Sequence, residues 1–143
     1  MMTQHAFQMR LECRYQRPDN SVAQLRVQNF EKGAWTEFEL GFAQPGFLIF
    51  VYAILNCQHL YMRSNAAERG LLLDAARGSI EVVANRDWVV QRLQVRFEGQ
   101  LQSGTPAPGD VDHIIDRMQH CPVSINLKEV ADSRTLVEFS PVP

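Results

Sequence analysis

The chain has 143 residues, the length of a single domain that can bury a hydrophobic core of its own. Its apolar fraction of 45% and charged fraction of 21% are typical of a globular protein and exclude a disordered chain. From this length we expect one domain, residues 1–143. A net charge of −2 argues against general binding to nucleic acid or to anionic membranes, so we expect neither partner.

The first third of the chain predicts three strands. Residues 7–15 alternate strictly between apolar and polar side chains, as in a strand with one buried and one solvated face. After a turn at 17–20, the pattern repeats at 23–28, and a third alternating run follows at 37–42. We interpret these runs as an antiparallel meander.

A long helix is predicted next. Pro45 suits the first turn of a helix, and the chain then continues without a breaker to Gly70, which suits its carboxyl-terminal cap. Every residue from 47 to 55 is apolar, so all sides of this segment require burial by other elements or by a partner chain. This run is about half of the ~20 residues that a membrane-spanning helix needs.

The second half predicts strands at 79–84 and 93–98 and then a short helix. Asp110 can cap this helix, whose apolar residues share one face at positions 111, 114, 115 and 118. Cys121 extends the same face, and Pro122 ends the helix. Residues 123–130 and 135–139 are predicted to form closing strands. The element order is that of an α+β protein.

The amino terminus and the cysteines bear on localisation. The first residues lack the apolar segment and the cleavage pattern of a signal peptide. Cys13, Cys57 and Cys121 are odd in number and widely spaced, unlike a secreted disulfide framework or a zinc site. We expect a soluble, cytoplasmic protein with free thiols.

The residues themselves leave the role of the cysteines open. A buried cysteine packs as a small hydrophobic residue, but Cys57 and Cys121 each lie on a predicted helix, which makes a thiol pair an alternative. His59 lies about 200° from Cys57 on a helix, so the two cannot hold one metal ion, and His120 points away from the face of Cys121. We expect surface or capping histidines, and neither a metal nor a cofactor.

Two segments resemble the OsmC/Ohr superfamily. "HCPVSINL" is similar to the Cys-Pro-Val-Ser segment that ends the second helix of that family. "AILNCQHLYMRSNAAERGLLLDAARGSIEV" is similar to the stretch in which the family's first cysteine lies on a long central helix. The predicted order β-β-β-α-β-β-α-β agrees over nearly the whole chain, and Val123 favours the OsmC-like branch.

This resemblance implies an α+β fold with antiparallel sheets around a long central helix, assembled as an intertwined homodimer with its active site at the interface. It implies a thiol-dependent organic hydroperoxide reductase in which Cys57 is the peroxidatic thiol and Cys121 the resolving one. A sulfenic acid and a disulfide would be the intermediates, and a cellular thiol would reduce the disulfide. Arg17, or Arg14 as the alternative, would be the cation near the thiolate.

The chain departs from the family at the start of the central helix. The family places a glutamate there, two to three turns before the first cysteine, but residues 41–57 contain neither Asp nor Glu. Two further functions therefore stay open beside the peroxidase. One is a catalytically silent dimer that binds a small hydrophobic ligand, and the other is a thiol redox sensor.

Overall fold

The structure is a computed structural model that describes residues 4–143. Its elements confirm the predicted α+β order. They are, in chain order, β1 (His5–Gln16), β2 (Ser21–Glu31), β3 (Ala34–Glu37), α1 (Gly46–Glu68), β4 (Leu72–Ala84), β5 (Val90–Ser103), α2 (Asp110–Gln119), a 3-10 helix (Ser124–Leu127) and β6 (Asp132–Ser140). Within the described range, no helix has both the length and the apolarity required to cross a membrane.

The strands form one six-stranded sheet in the order β3-β2-β1-β4-β5-β6. Strands β1 to β5 pair antiparallel, as predicted, whereas β6 runs parallel to β5. A parallel pair needs a crossover connection, and the chain supplies one through α2 and the 3-10 helix. The sheet is therefore mixed, and its crossover brings the end of α2 against α1.

The core lies between the sheet and α1. The alternation of β1 is confirmed, since Met9, Leu11 and Cys13 are buried on the face that α1 covers. A Cβ atom at Gly78 would overlap the ring of Phe97, so this glycine leaves the space that the buried ring fills. These residues form the buried face of the sheet against which α1 packs.

Helix α1 begins and ends where the sequence predicts. Pro45 is its amino-terminal cap, and Gly70 follows its last turn with φ of 74°. The backbone N–H groups of Gly70 and Leu71 donate to Ala67 and Ala66, at 3.0 and 2.9 Å, which completes a Schellman motif. The helix is thereby held in register over the sheet.

One side of α1 is left uncovered by the chain. Ile49, Ala53 and Cys57 are partly exposed, and Leu60 is 44% exposed. Their spacing of four, four and three residues places them on one face. We call these four residues the α1 stripe. The apolar circumference predicted for this helix is thus only partly buried within one chain.

The predicted third strand at 37–42 is wrong in position. Strand β3 comprises Ala34–Glu37, and the following residues form an irregular segment up to α1. The ladder with β2 ends where the Phe38 N–H donates to Val27 at 2.9 Å, and Gly41 then accepts a turn hydrogen bond from Gln44. Phe38 packs on Tyr52, while Phe42 is fully exposed.

Two predictions around α2 are also wrong. Gly109, with φ of 89°, is the cap of α2, and Asp110 is its first residue, whose carboxylate accepts the Ala107 N–H at 2.7 Å. The strand predicted at 123–130 is instead the 3-10 helix. Its backbone is folded back because the Ile125 N–H donates to the Cys121 carbonyl at 2.9 Å.

Candidate functional site

The structure brings Cys57 and Cys121 together. Cys57 lies in the middle of α1, and Cys121 follows the last turn of α2 where the two helices meet. Gln58, which follows Cys57, donates to the Ser124 hydroxyl at 2.9 Å, and the Ser124 N–H donates to the Cys121 Sγ at 3.3 Å, so the two cysteines lie near each other. Both thiols are free. Cys57 is partly exposed, whereas Cys121 is 0% exposed. The site is therefore a thiol pair with one accessible sulfur.

Cys57 is not activated within one chain. Burial is the main influence on its pKa, and together with the hydrogen bond to Cys121 it raises the pKa to about 11. The backbone N–H of Val123 acts in the opposite direction by stabilising the thiolate. Among the influences that residues 4–143 exert on this pKa there is no cationic side chain. The thiol form thus predominates at neutral pH.

Cys121 is held by its own backbone turn and by a buried polar cluster. The Ser124 N–H donates to the Cys121 Sγ at 3.3 Å. The side chain of Gln58 donates to the Ser124 hydroxyl and accepts from the Thr135 hydroxyl, each at 2.9 Å. We call Gln58, Ser124 and Thr135 the Gln58 network. Sequence reasoning missed it, because its members are 66 and 77 residues apart along the chain.

The Gln58 network also forms part of the wall of a cavity of about 340 Å³. Apolar side chains, including Leu93 and Ile125, line the same space. This cavity therefore has both polar and apolar walls within one chain.

Arg17 lies on the turn that follows β1, and its side chain is exposed. Its Nε donates to the Gln102 side chain at 3.1 Å. Arg14, the alternative, lies 3.9 Å from the carboxylate of Asp74, and both side chains of this pair are more than half exposed. The structure therefore brings neither arginine to Cys57 within one chain, and the role of Arg17 stays a prediction.

A second polar cluster lies beneath α1, around the third cysteine. The Tyr15 hydroxyl and His59 Nε2 are 2.7 Å apart, and the His59 ring lies parallel to Phe97 with 5.5 Å between centroids. Burial, followed by the charge of Arg63, lowers the pKa of His59 to about 3. His59 is 2% exposed. The prediction of a surface or capping residue is therefore wrong for this histidine.

The same cluster explains the state of Cys13. Burial raises the pKa of Cys13, while a hydrogen bond from Tyr15 and the charge of Arg63 act in the opposite direction. The guanidinium of Arg63 thus acts on Cys13 and His59 rather than on Cys57. His120, by contrast, is exposed at the end of α2 and its Nδ1 lies 2.7 Å from the Asp116 carbonyl. No group of three metal-binding side chains occurs among residues 4–143.

Comparison with known proteins yields structural neighbours only. No family model and no curated protein sequence matches the chain. An OsmC-like protein from Mycoplasma pneumoniae is similar in structure, with a TM-score of 0.51 and 10% identity over 100% of this chain and 98% of that one. A protein described as an osmotic stress induced and detoxification response protein from Psychrobacter arcticus has a TM-score of 0.50 and 10% identity, covering 80% of this chain and 88% of that one.

Proposed function

Since the chain has the OsmC-like fold, we propose that it is a homodimeric two-cysteine peroxidase that reduces organic hydroperoxides. The observation that carries this proposal is that α1 and the turn after α2 bring Cys57 and Cys121 near each other, since Gln58 beside Cys57 donates to Ser124 and the Ser124 N–H donates to the Cys121 Sγ. Two cysteines that only fill core space have no need to meet, whereas a peroxidatic and a resolving thiol must. A reducing cytoplasm would keep these thiols free between reactions.

In the proposed reaction Cys57 reduces the hydroperoxide, and Cys121 then forms the disulfide. The Cys57 thiolate attacks the terminal oxygen of the hydroperoxide, which gives Cys57 sulfenic acid and, after protonation, the alcohol. The Cys121 thiol then attacks the Cys57 sulfur, and a disulfide and water are formed. Two equivalents of an external thiol reduce this disulfide and are themselves oxidised to a disulfide.

Exposure decides which sulfur meets the outside reactants. Cys121 is 0% exposed, so a hydroperoxide can reach only Cys57 without opening of the fold. For the same reason the reducing thiol attacks the Cys57 sulfur, and Cys121 is the leaving thiolate. The Ser124 N–H, 3.3 Å from the Cys121 Sγ, is placed to stabilise that thiolate.

A second copy of the chain would complete the surroundings of Cys57. This cysteine belongs to the α1 stripe, whose other members are apolar and whose Leu60 is 44% exposed. Packing a second copy of the chain against Leu60 and the apolar part of the stripe would bury this area and place apolar side chains beside the thiol. Such surroundings favour organic hydroperoxides over small polar ones.

One observation favours a second candidate, a thiol redox sensor. The pKa of Cys57 is raised to about 11, and residues 4–143 place no cation beside it, so the reactive thiolate is scarce at neutral pH. A sensor needs the same disulfide but can form it slowly and once. A peroxidase must repeat the cycle.

Turnover separates the two candidates. Reduced protein is supplied with cumene hydroperoxide and an excess of dithiothreitol, and hydroperoxide loss is followed with Cys57→Ser as the control. The peroxidase predicts many equivalents consumed per chain, with cumene hydroperoxide preferred over hydrogen peroxide and with no consumption by the variant beyond the background reaction. Cys57-dependent consumption that stays slow in the presence of excess dithiothreitol would favour the sensor, and equal rates for wild type and variant would contradict both.

A further inference from the structure

Gln58 is an amide side chain in the interior of the protein with a hydroxyl partner on each side. It is 1% exposed, and its partners Ser124 and Thr135 are 9% and 6% exposed. The amide nitrogen donates to the Ser124 Oγ, and the amide oxygen accepts from the Thr135 Oγ1, both at 2.9 Å. The network therefore joins α1, the 3-10 helix and β6 at one buried point.

Two of these three residues adjoin the cysteines of the proposed pair. Gln58 directly follows Cys57 on α1. Ser124 is the residue whose backbone N–H donates to the Cys121 Sγ, and its hydroxyl accepts from Gln58. One amide thus connects the helix that carries the first thiol to the turn that holds the second.

We propose that Gln58 is a positioning residue for the disulfide between Cys57 and Cys121. The inference rests on the proposed function, because it takes these two thiols as the redox pair. A disulfide tolerates only a narrow range of separations and dihedral angles. By fixing the Ser124 turn to α1 in the reduced protein, the network removes motions that disulfide formation would otherwise have to freeze out. Gln58 acts through Ser124 on the equilibrium between the two free thiols and the disulfide. It does not contact the oxygen of the hydroperoxide.

A network that only stabilises the fold makes a different prediction. Such a network would strengthen the reduced and the disulfide forms equally, so its loss would lower the free energy of unfolding and leave the redox equilibrium unchanged. A positioning network changes the equilibrium itself. The redox equilibrium constant is therefore the quantity that separates the two roles.

The experiment equilibrates the protein with mixtures of reduced and oxidised dithiothreitol and measures the fraction carrying the Cys57–Cys121 disulfide by peptide mass spectrometry. The variants are Thr135→Val, Ser124→Ala and Gln58→Leu. Each lost hydrogen bond is expected to reduce the equilibrium constant for disulfide formation by about two- to tenfold. Thr135→Ser keeps the hydroxyl and should match wild type, as should Thr36→Val, which removes a hydroxyl from β3.

Because Gln58→Leu removes both hydrogen bonds and can prevent folding, the two milder variants decide the result. Equilibrium constants equal to wild type in folded Thr135→Val and Ser124→Ala would overturn the positioning role and leave the proposed peroxidase standing. Failure of wild type to form the disulfide at any dithiothreitol ratio would overturn both. The experiment uses no hydroperoxide, so the positioning role can be established even if the protein proves not to reduce hydroperoxides.

Discussion

The raised pKa of Cys57 predicts how strongly its reactivity depends on pH. With a pKa of about 11 against an ordinary value of 9.0, the thiol supplies about one thiolate in ten thousand chains at pH 7. This is about a hundredfold less thiolate than an ordinary cysteine would supply, and the thiolate is the nucleophile. Burial is the largest cause of the raised pKa, followed by the hydrogen bond to Cys121 and then by the charge interaction with Cys121.

The rate of alkylation by iodoacetamide measures the dependence of Cys57 reactivity on pH directly. The rate at Cys57, followed by peptide mass spectrometry, should rise about tenfold for each pH unit from pH 7 to pH 10. Cys121→Ala should lower the midpoint, because it removes the hydrogen bond but leaves most of the burial, whereas Cys13→Ala should not change it. A rate that levels off near pH 7 or 8 would refute the reasoning and reveal a cation acting on Cys57.

Three further predictions concern other residues. The pKa of His59 is about 3 in the folded protein against 6.5 when unperturbed. The fold therefore favours the neutral imidazole, and the free energy of unfolding decreases as pH falls below 6.5. Between pH 7 and pH 5, urea unfolding should show a loss about 2 kcal/mol greater for wild type than for His59→Gln, and equal losses would contradict this. Arg17 and Arg14 contact Gln102 and Asp74 rather than Cys57 within one chain, so Arg17→Gln and Arg14→Gln should leave the rate of Cys57 oxidation unchanged. A roughly tenfold slowing in Arg17→Gln alone would show that Arg17 acts on the thiolate. Leu60→Glu should convert the proposed dimer to a monomer in light scattering, and a monomeric wild type would refute the proposed dimer.

The elements that the sequence predicted best are those with strong local signals. Strand β1 alternates without exception, and α1 is bounded by Pro45 and Gly70. The apolar run at 47–55 also predicted more hydrophobic surface than one sheet covers, and Ile49 and Ala53 of this run stay partly exposed within one chain. Cys57 and Cys121 were predicted as a pair from the resemblance of their segments to the OsmC/Ohr superfamily, and their roles stay a prediction.

The features that the sequence did not predict depend on distant or competing contacts. The segment 123–130 contains strand-forming residues, but its N–H groups bond to nearby carbonyls, as from Asn126 to Val123 at 3.1 Å, and residues 124–127 form a 3-10 helix instead. The Gln58 network joins residues far apart in the chain, and nothing in a local pattern marks Gln58 as buried. The position of His59 depends likewise on Tyr15, which lies 44 residues away.

Disulfide mapping after a single oxidation tests the central claim most directly. The reduced protein is treated with one equivalent of cumene hydroperoxide, quenched at intervals with acid and alkylated, and the peptides are identified by mass spectrometry. The proposed function predicts a disulfide between Cys57 and Cys121 as the principal product, its absence in Cys57→Ser, and a sulfenic acid at Cys57 in Cys121→Ser. Persistent free thiols at both positions, or oxidation that begins at Cys13, would contradict it.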